Sequence, residues 1–307
     1  MAVRRWRKLA MLHKIESAYM DDAAPTDADA IVSTNISFTP IEAEEVSRDL
    51  FMPYLGNQGV VLAAEYGKIE FDVEIAGAGS AGSAPKYGSL LQVAGMDETV
   101  SGGAVIYSII EDNVPSGTLY FNSDGVQHAF IGAQANVQMT FTPKQIPKFR
   151  FTLQGMLGDI EDVALPAFSL AGWTTPLVVS KANTVMSLHG AGSVAESLTI
   201  DLGNTLTPRF LIGDERMMIS DRKSTGTAVV EARSLAEVNW FAMARSRARD
   251  TMSIVHGTAS GNIVEVTGAA VEIGKPTQGE TDGIVNYSLP LSFCPVNGRD
   301  ELTITIR

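Results

Sequence analysis

One stretch of the chain has the spacing of a phosphate-binding loop. Residues Gly77–Gly82 spell Gly-Ala-Gly-Ser-Ala-Gly and fit the pattern G-x-G-x-x-G. A dinucleotide site needs a helix that begins inside this motif, within a strand-helix-strand unit, so that the helix N-terminus faces the pyrophosphate. Here Pro85 and Gly88 follow instead, and the flanking segments have the period of antiparallel strands. We therefore expect a flexible loop of small residues and no nucleotide site.

The residues that could ligate a metal or activate a nucleophile are scattered. The four histidines lack the short fixed spacing of zinc ligands, and Cys294, the single cysteine, lies in an apolar strand pattern. The acidic stretch between Asp21 and Asp29 lacks the glycine and distal glutamate of a calcium loop, and we expect it to be a solvated, mobile arm. No Gly-x-Ser-x-Gly elbow occurs. We expect no catalytic residue, no metal site and no cofactor, and so no enzyme.

Composition and charge narrow the class further. The chain is 45% hydrophobic and 19% charged, and its 307 residues are enough for one large domain or two of ordinary size, either of which could bury a core. The net charge of −12 argues against a protein that grips nucleic acid by neutralising phosphates. No apolar run approaches the roughly 20 residues that span a bilayer. The basic start is followed only by the apolar Leu9–Leu12, too short for an export signal.

The elements that would position any site are mostly strands. Apolar and polar residues alternate with period two in seven segments, which is typical of half-buried antiparallel strands. These segments are 68–75, 118–122, 135–141, 148–154, 197–202, 262–267 and 302–306. Helical spacing occurs in Tyr87–Met96 and, more strongly, in Leu235–Arg249, whose far end carries Arg245, Arg247 and Arg249.

The order of these elements occurs twice along the chain. Each half runs through a strand, a long polar and apolar excursion, a strand, a helix and further strands, with excursions at Glu44–Gln58 and Asn204–Thr225. The similarity is one of order and period and not of identity. It predicts an N-terminal arm plus a first domain over 1–162, a linker over 163–180 and a second domain over 181–307.

This order resembles the major tail proteins of siphophages, particularly those of Mu-like and related temperate phages. The stretches that carry the resemblance extend over nearly the whole chain and include Trp6–Tyr19, Gly117–His128, Ile146–Phe151, Pro176–Asn183 and Ser220–Arg222. It implies a mainly β protein with two tandem tail-tube-like β-sandwich or split-barrel domains, each with one flanking α-helix and a long extended hairpin. The protein would be a non-enzymatic virion component, assembled in the host cytoplasm, that stacks as rings into the tail tube.

The resemblance also implies partners. They are further copies of the chain, the tape measure, tail terminator and distal tail proteins, and double-stranded DNA, which would pass through the lumen without specific binding. The net charge of −12 leads us to expect an acidic lumen. Because an isolated two-stranded hairpin is marginal in water, apolar residues on the two excursions favour a partner surface, although they could instead fold back onto their own domain. The residues predicted to contact another ring or subunit are Arg48, Leu50, Phe51, Tyr54, Phe210, Leu211, Met217 and Met218.

Barrel geometry then bears on the number of copies. With four lining strands per domain, as the family suggests, six domains supply about 24 strands and leave a lumen of roughly 30–40 Å. Twelve strands would be too narrow for a duplex about 20 Å across. We therefore expect a homotrimeric ring with pseudo-sixfold symmetry, with a true hexamer as the fallback. The alternative from another class is a carbohydrate- or receptor-binding β-sandwich of a tail fibre, which should gather aromatic residues on one face.

Overall fold

A computed structural model describes residues 3–307. Over this range the chain forms nineteen strands, two α-helices and one short 3-10 turn at Asp27–Asp29. In the first half the strands are β1 (Leu9–Ile15), β2 (Thr34–Ser47), β3 (Val60–Glu74), β4 (Met96–Ser101), β5 (Ala104–Ile109), β6 (Gly117–Ser123), β7 (Val126–Phe141) and β8 (Lys148–Asp162), and the helix is α1 (Gly88–Val93).

Residues 163–183 form neither helix nor strand and lead into the second half. Its helix is α2 (Trp240–Ser246). Its strands are β9 (Thr184–Leu188), β10 (Ala191–Gly192), β11 (Ala195–Asp201), β12 (Asn204–Leu211), β13 (Asp214–Arg222), β14 (Thr225–Glu231), β15 (Arg249–His256), β16 (Val264–Ile273), β17 (Thr277–Thr281), β18 (Ile284–Phe293) and β19 (Thr303–Ile306).

The two halves place their strands in the same spatial order. In the first half, antiparallel pairing gives the order β1-β6-β7-β8-β3-β2. In the second half it gives β9-β15-β16-β18-β14-β11. Strand β17 continues β16 along the edge of β18, so β16 and β17 together occupy the place that β7 occupies in the first half.

Two backbone pairings join the halves. Strand β7 pairs antiparallel with β11, from Gln138 opposite Asp201 to Phe141 opposite Leu198. The C-terminal strand β19 pairs with both β16 and β5, and β5 forms a hairpin with β4. Through the β7–β11 contact, one sheet runs as β2-β3-β8-β7-β11-β14-β18-β17 across the whole molecule.

This long sheet has one apolar face and one polar face. Between residues 67 and 74 of β3 and between residues 148 and 155 of β8 the residues alternate in burial, and Phe71, Phe151 and Leu153 are fully buried. Burying such a side chain stabilises the fold by about 1.5–3 kcal/mol. The intervening residues, among them Glu70 and Arg150, lie on the opposite, partly exposed face. The period-two pattern of the sequence therefore corresponds to one core side and one solvent side.

Most of the predicted elements are confirmed, with corrections at the helices. All seven alternating segments fall on strands, and the first helix lies within Tyr87–Met96. The second helix is shorter than predicted, because the Asn239 side chain caps it by accepting a hydrogen bond from the backbone N–H of Ala242, and Arg247 ends it in the left-handed region at φ 55°. Arg249 is the first residue of β15 and is not helical.

The N-terminal arm is held in the fold by strand pairing and by a buried carboxylate. Leu9–Ile15 forms β1 on the edge of β6, and the backbone N–H of Ile31 donates to the carbonyl of Met11 at 2.8 Å. The arm is also fixed by the carboxylate of Glu16, which is 8% exposed. It accepts hydrogen bonds from the hydroxyls of Ser116 and Thr118 and from the backbone N–H of Gly132. The acidic residues Asp21, Asp22 and Asp27 are exposed, as expected.

Candidate assembly surfaces

The glycine-rich loop joins the two halves and is neither free nor shaped for a nucleotide. The backbone N–H of Gly77 donates to the side-chain oxygen of Asn262 at 2.7 Å, and that of Gly79 donates to the carbonyl of Gly261 at 2.9 Å. A Cβ at Gly77 would lie 2.2 Å from that carbonyl oxygen. The helix that follows begins only at Gly88. The small residues therefore allow a close backbone approach, and the expected flexible loop is instead a packed contact.

Two of the four histidines, His13 and His256, are buried in the core, and the four do not converge. His13 places Nδ1 2.9 Å from the hydroxyl of Ser89, and burial lowers its pKa from the ordinary 6.5 to about 3. His256 has its Nδ1 2.8 Å from the hydroxyl of Thr184, and burial also lowers its pKa. Within residues 3–307, no group of three or more His, Cys, Asp or Glu is placed to hold a metal ion. None of the helices in that range is long and apolar enough to cross a membrane.

The tryptophans lie in three separate parts of the described structure. Trp6 is 63% exposed near the N-terminus, while Trp240 is buried in α2. Trp173 packs its ring against Tyr87 at a centroid distance of 6.5 Å and donates to the carbonyl of Ala30. Such a distribution does not favour the aromatic platform that a carbohydrate-binding module would present.

The polar face of the long sheet carries an ion-pair network in the first half. Arg150 bonds Glu70 and Asp72, each at 2.9 Å, while Lys68 reaches Glu70 at 2.8 Å and Lys148 reaches Asp72 at 3.7 Å. Hydrogen bonds from Lys68 and Arg150 lower the pKa of Glu70. The corresponding face of β14 and β18 is largely uncharged and carries Thr225, Thr227, Val229, Ser288, Pro290 and Ser292. Each of the three cations of the network thus lies within 4 Å of a carboxylate, and the three share Glu70 and Asp72.

The first hairpin, formed by β2 and β3 beyond the reach of β8, projects from the sheet. Strand β8 pairs with β3 only from Tyr66 onward, whereas β2 and β3 continue to pair as far as Ser47 opposite Val60. The turn between them spans residues 48–59. Phe51 is fully exposed, and Leu50 and Tyr54 are 45% and 61% exposed. All four contact residues predicted here, Arg48 included, therefore lie on the projecting tip.

The second hairpin, formed by β12 and β13, differs in burial between its base and its tip. At the tip Leu211 is 49% exposed, and Phe210 and Met218 are half-buried. Met217 is only 1% exposed, and its backbone N–H donates to the Tyr19 hydroxyl at 2.6 Å. The expectation that Met217 is exposed is therefore wrong, because the N-terminal arm covers it. For this residue the alternative holds, that the side chain folds onto its own chain.

Further polar contacts hold the base of the second hairpin on the first half. The backbone N–H of Ile219 donates to the side-chain oxygen of Gln134 at 2.7 Å. The Asn204 side chain donates to the carbonyls of Ala94 and Ala135 at 2.7 and 3.0 Å. Sequence reasoning did not find these residues. Each acts on a partner far away in the chain, and no local pattern of residue types marks such a pair.

Projecting hairpins with exposed apolar tips and one continuous sheet are features of a structural protein that works by assembly. The sequence matches the family model described as phage tail tube protein over residues 6–293, nearly the whole chain. The chain therefore belongs to the phage tail tube protein family. It is a non-enzymatic structural component of the virion tail that forms the tube, as the sequence predicted. No individual curated protein matches the chain.

Proposed function

We propose that three copies of the chain close into a ring with pseudo-sixfold symmetry, and that both halves of every copy line the lumen of a siphophage tail tube. The observation that carries this proposal is the pairing of β7 with β11. It joins two four-stranded sheets of the same strand order edge to edge, β2-β3-β8-β7 and β11-β14-β18-β17. The proposed domains are those predicted from the sequence, 1–162 and 181–307, with 163–180 between them.

The size of the resulting barrel supports three copies. Three sheets of eight strands give about 24 strands, and a spacing of about 4.8 Å with a tilt near 40° gives a backbone diameter of roughly 48 Å. Side chains then leave roughly 30–40 Å, enough for a duplex about 20 Å across. A hexamer with the second half outside the tube fits less well, because the second half continues the same sheet as the first half.

The polar face of the long sheet is the face we place toward the lumen. A duplex adheres where lysine and arginine are free to replace its counterions. Here Lys68, Lys148 and Arg150 are engaged by Glu70 and Asp72. The wall would therefore offer few unpaired cations to the phosphates, and DNA would slide past it. This refines the acidic lumen expected from net charge alone, because pairing of the cations matters more than a surplus of carboxylates.

The hairpin tips are the surfaces we assign to contacts between stacked rings. The first tip exposes Leu50, Phe51 and Tyr54, and the second exposes Leu211 and Ile212, the last of them fully. Apolar residues on a projecting hairpin are stabilised by a partner surface. At the ends of the tube the partners would be the tail terminator and distal tail proteins, with the tape measure protein inside.

Electron microscopy of the purified full-length chain tests the arrangement. We expect rings or tubes whose class averages have three identical units and six similar lobes, with three chains per ring by native mass spectrometry. Six chains per ring would overturn the trimer in favour of the hexamer. A chain that remains monomeric at high concentration, even with its companion tail proteins, would overturn the assembly itself.

A charge reversal tests whether the polar face of the long sheet lines the lumen. In a phage that carries Glu70→Lys with Asp72→Lys, freed cations on the wall should slow genome ejection from tails of normal length. The matched control is Glu161→Lys, at an exposed carboxylate near the end of β8. Counting assembled tails by microscopy separates defective assembly from slow passage. Ejection as fast as in the control, from assembled tails, would place this face away from the DNA.

A further inference from the structure

We infer that the unpaired edge of β17 binds β2 of the next copy in the ring, in the register that β7 and β11 use within one chain, and that the base of the next copy's first hairpin lies on the second half that supplies β17. The inference rests on the proposed ring and adds its head-to-tail joint. The occupant of both surfaces is a second copy of this chain.

The strand ladders of the two halves align row by row. In the first half, Glu74 pairs with Lys148, which pairs with Thr140. In the second half, the matching row at the end of β14 is Glu231, Asn286 and Gly279. In this alignment Phe151 is equivalent to Leu289, and both side chains are fully buried. Thr277 is then equivalent to Gln138, because they pair with the aligned residues Ser288 and Arg150. Thr39 is equivalent to Asp201, because they pair with the aligned residues Lys68 and Thr225.

The equivalence of the two halves then predicts the register in which β17 of one copy pairs with β2 of the next. Within the chain, Gln138 lies opposite Asp201, and Met139 lies opposite Ile200. The equivalent intermolecular pairs are Thr277 with Thr39 and Gln278 with Phe38. Among the described residues, β17 pairs only with β18 and β2 only with β3, so one edge of each strand remains available.

The turn after β17 determines which backbone groups point to its open edge. Asp282 and Gly283 both have positive φ, 54° and 80°, as in a two-residue type I′ hairpin. In such a hairpin the flanking residues, Thr281 and Ile284, exchange both backbone hydrogen bonds, and the pattern alternates along the strand. Gln278 therefore points its N–H and carbonyl away from β18. All five residues of β17 are exposed, and an edge of this kind is a template for another strand.

The two hairpins provide independent support. Met217 and Ile219 lie eight and six residues before Thr225, and Val60 and Leu62 lie equally far before the equivalent Lys68. Met217 is 1% exposed because it is covered by the first half of its own chain, whereas Val60 and Leu62 are 51% and 46% exposed. The apolar positions that are buried at Met217 and half-buried at Ile219 on the second hairpin are thus bare on the first.

The neighbour offers a matching surface for those bare residues. Within the chain, the second hairpin lies over β7 and β8. The equivalent strands for the first hairpin are β17 and β18 of the copy whose β17 binds its β2, where Ile284 and Val285 are 52% and 40% exposed. Contacts of this head-to-tail kind generate a closed ring when the rotation between copies completes a circle.

Cysteine cross-linking tests the register in assembled tubes. Thr277 is hydrogen-bonded to β18, so with β2 it would form a non-hydrogen-bonded pair, whose short Cα separation of about 4.5 Å suits a disulfide. We would combine Thr39→Cys and Thr277→Cys with Cys294→Ser, which removes the native cysteine. Oxidation should yield covalent trimers on a non-reducing gel. The matched control pairs Thr39→Cys with Thr281→Cys, four residues and about 13 Å out of register.

A proline tests the edge itself. Gln278→Pro removes an N–H that points away from β18, and proline is tolerated at such an edge position. The variant should keep the monomer's melting temperature and lose ring formation, while Gln278→Ala should form rings. Normal rings from Gln278→Pro would overturn the inference. Tubes that cross-link through position 281 and not through position 277 would also overturn the inference, but they would leave the ring proposal intact. Failure of the parent protein to form rings would instead overturn the proposed function.

Discussion

Acid should destabilise the folded chain through His13, a residue of β1. Its side chain is 2% exposed, and its Nε2 is buried without a hydrogen-bond partner among the described residues. A Cβ built on Gly117 would lie 2.4 Å from this nitrogen, so the ring is closely packed. Burial lowers the pKa of His13 from its ordinary 6.5 to about 3, although the nearby Asp29 acts in the opposite direction.

The sign and the size follow from proton linkage. Below pH 6.5 the unfolded chain binds a proton on His13 and the folded chain does not, until the pH approaches 3. The stability associated with the neutral ring is complete above pH 6.5 and is lost as the pH falls from 6.5 toward 3. The slope is about 1.4 kcal/mol per pH unit, so the free energy of unfolding should fall by about 2 kcal/mol between pH 7 and pH 5.

Denaturant unfolding of the unassembled chain at pH 7 and pH 5 measures this difference. The wild type should lose about 2 kcal/mol more between the two pH values than His13→Gln, whose side chain does not titrate. The control is Gly192→Ala, which changes no titratable group and adds a Cβ with nothing within 4 Å. It should keep the wild-type dependence of stability on pH.

The same experiment can refute the reasoning. Burial also lowers the pKa values of His128 and His256, so some loss of stability in acid will remain in both variants. The loss of stability between pH 7 and pH 5 must be smaller in His13→Gln than in the wild type by the amount that His13 contributes. If His13→Gln and the wild type lose equal free energy between pH 7 and pH 5, the ring of His13 accepts a proton in the folded chain and is not shielded as its burial indicates.

Three further substitutions probe the core, the arm and the joint between the halves. Phe151→Ala should destabilise the chain by about 3–5 kcal/mol in denaturant unfolding, because its ring is fully buried, whereas Phe51→Ala, at a fully exposed ring, should change stability by less than about 0.5 kcal/mol. Glu16→Ala should cost about 3 kcal/mol or more and expose β1 to proteolysis, since it leaves two buried hydroxyls and a backbone N–H without their acceptor. Gly77→Ala should lower the melting temperature, because its Cβ would meet a backbone oxygen of the second half at 2.2 Å, while Gly192→Ala, with nothing within 4 Å, should not.

Local patterns were sufficient for the elements of the long sheet. Where one strand face packs on the core and the other meets solvent, side chains must alternate, and this alternation is visible in segments such as 148–154. The repeated order of elements was visible for the same reason, since each half builds its sheet from the same succession of strands. The tips of both excursions were also recognisable, because apolar residues there interrupt polar surroundings.

The sequence failed where a distant segment decides the outcome. The predicted second helix continued to Arg249, but pairing of that residue with Glu272 on β16 makes it the start of a strand. Likewise Met217 resembles Leu211 as an apolar hairpin residue, yet only Met217 meets the hydroxyl of Tyr19, 198 positions away. Hydrophobicity alone cannot separate two residues that differ only in which remote group arrives.

The sequence by itself determined that this chain is a mainly β protein of repeated organisation without a catalytic centre, because strand period, turn residues and ligand spacing are local properties. Only the tertiary structure decided that β7 joins β11 and that β17 and β2 keep an open edge. Backbone hydrogen bonds between strands are the same for any residue, so side-chain pattern determines where a strand lies but not which edge it meets. That choice depends on how the whole chain packs.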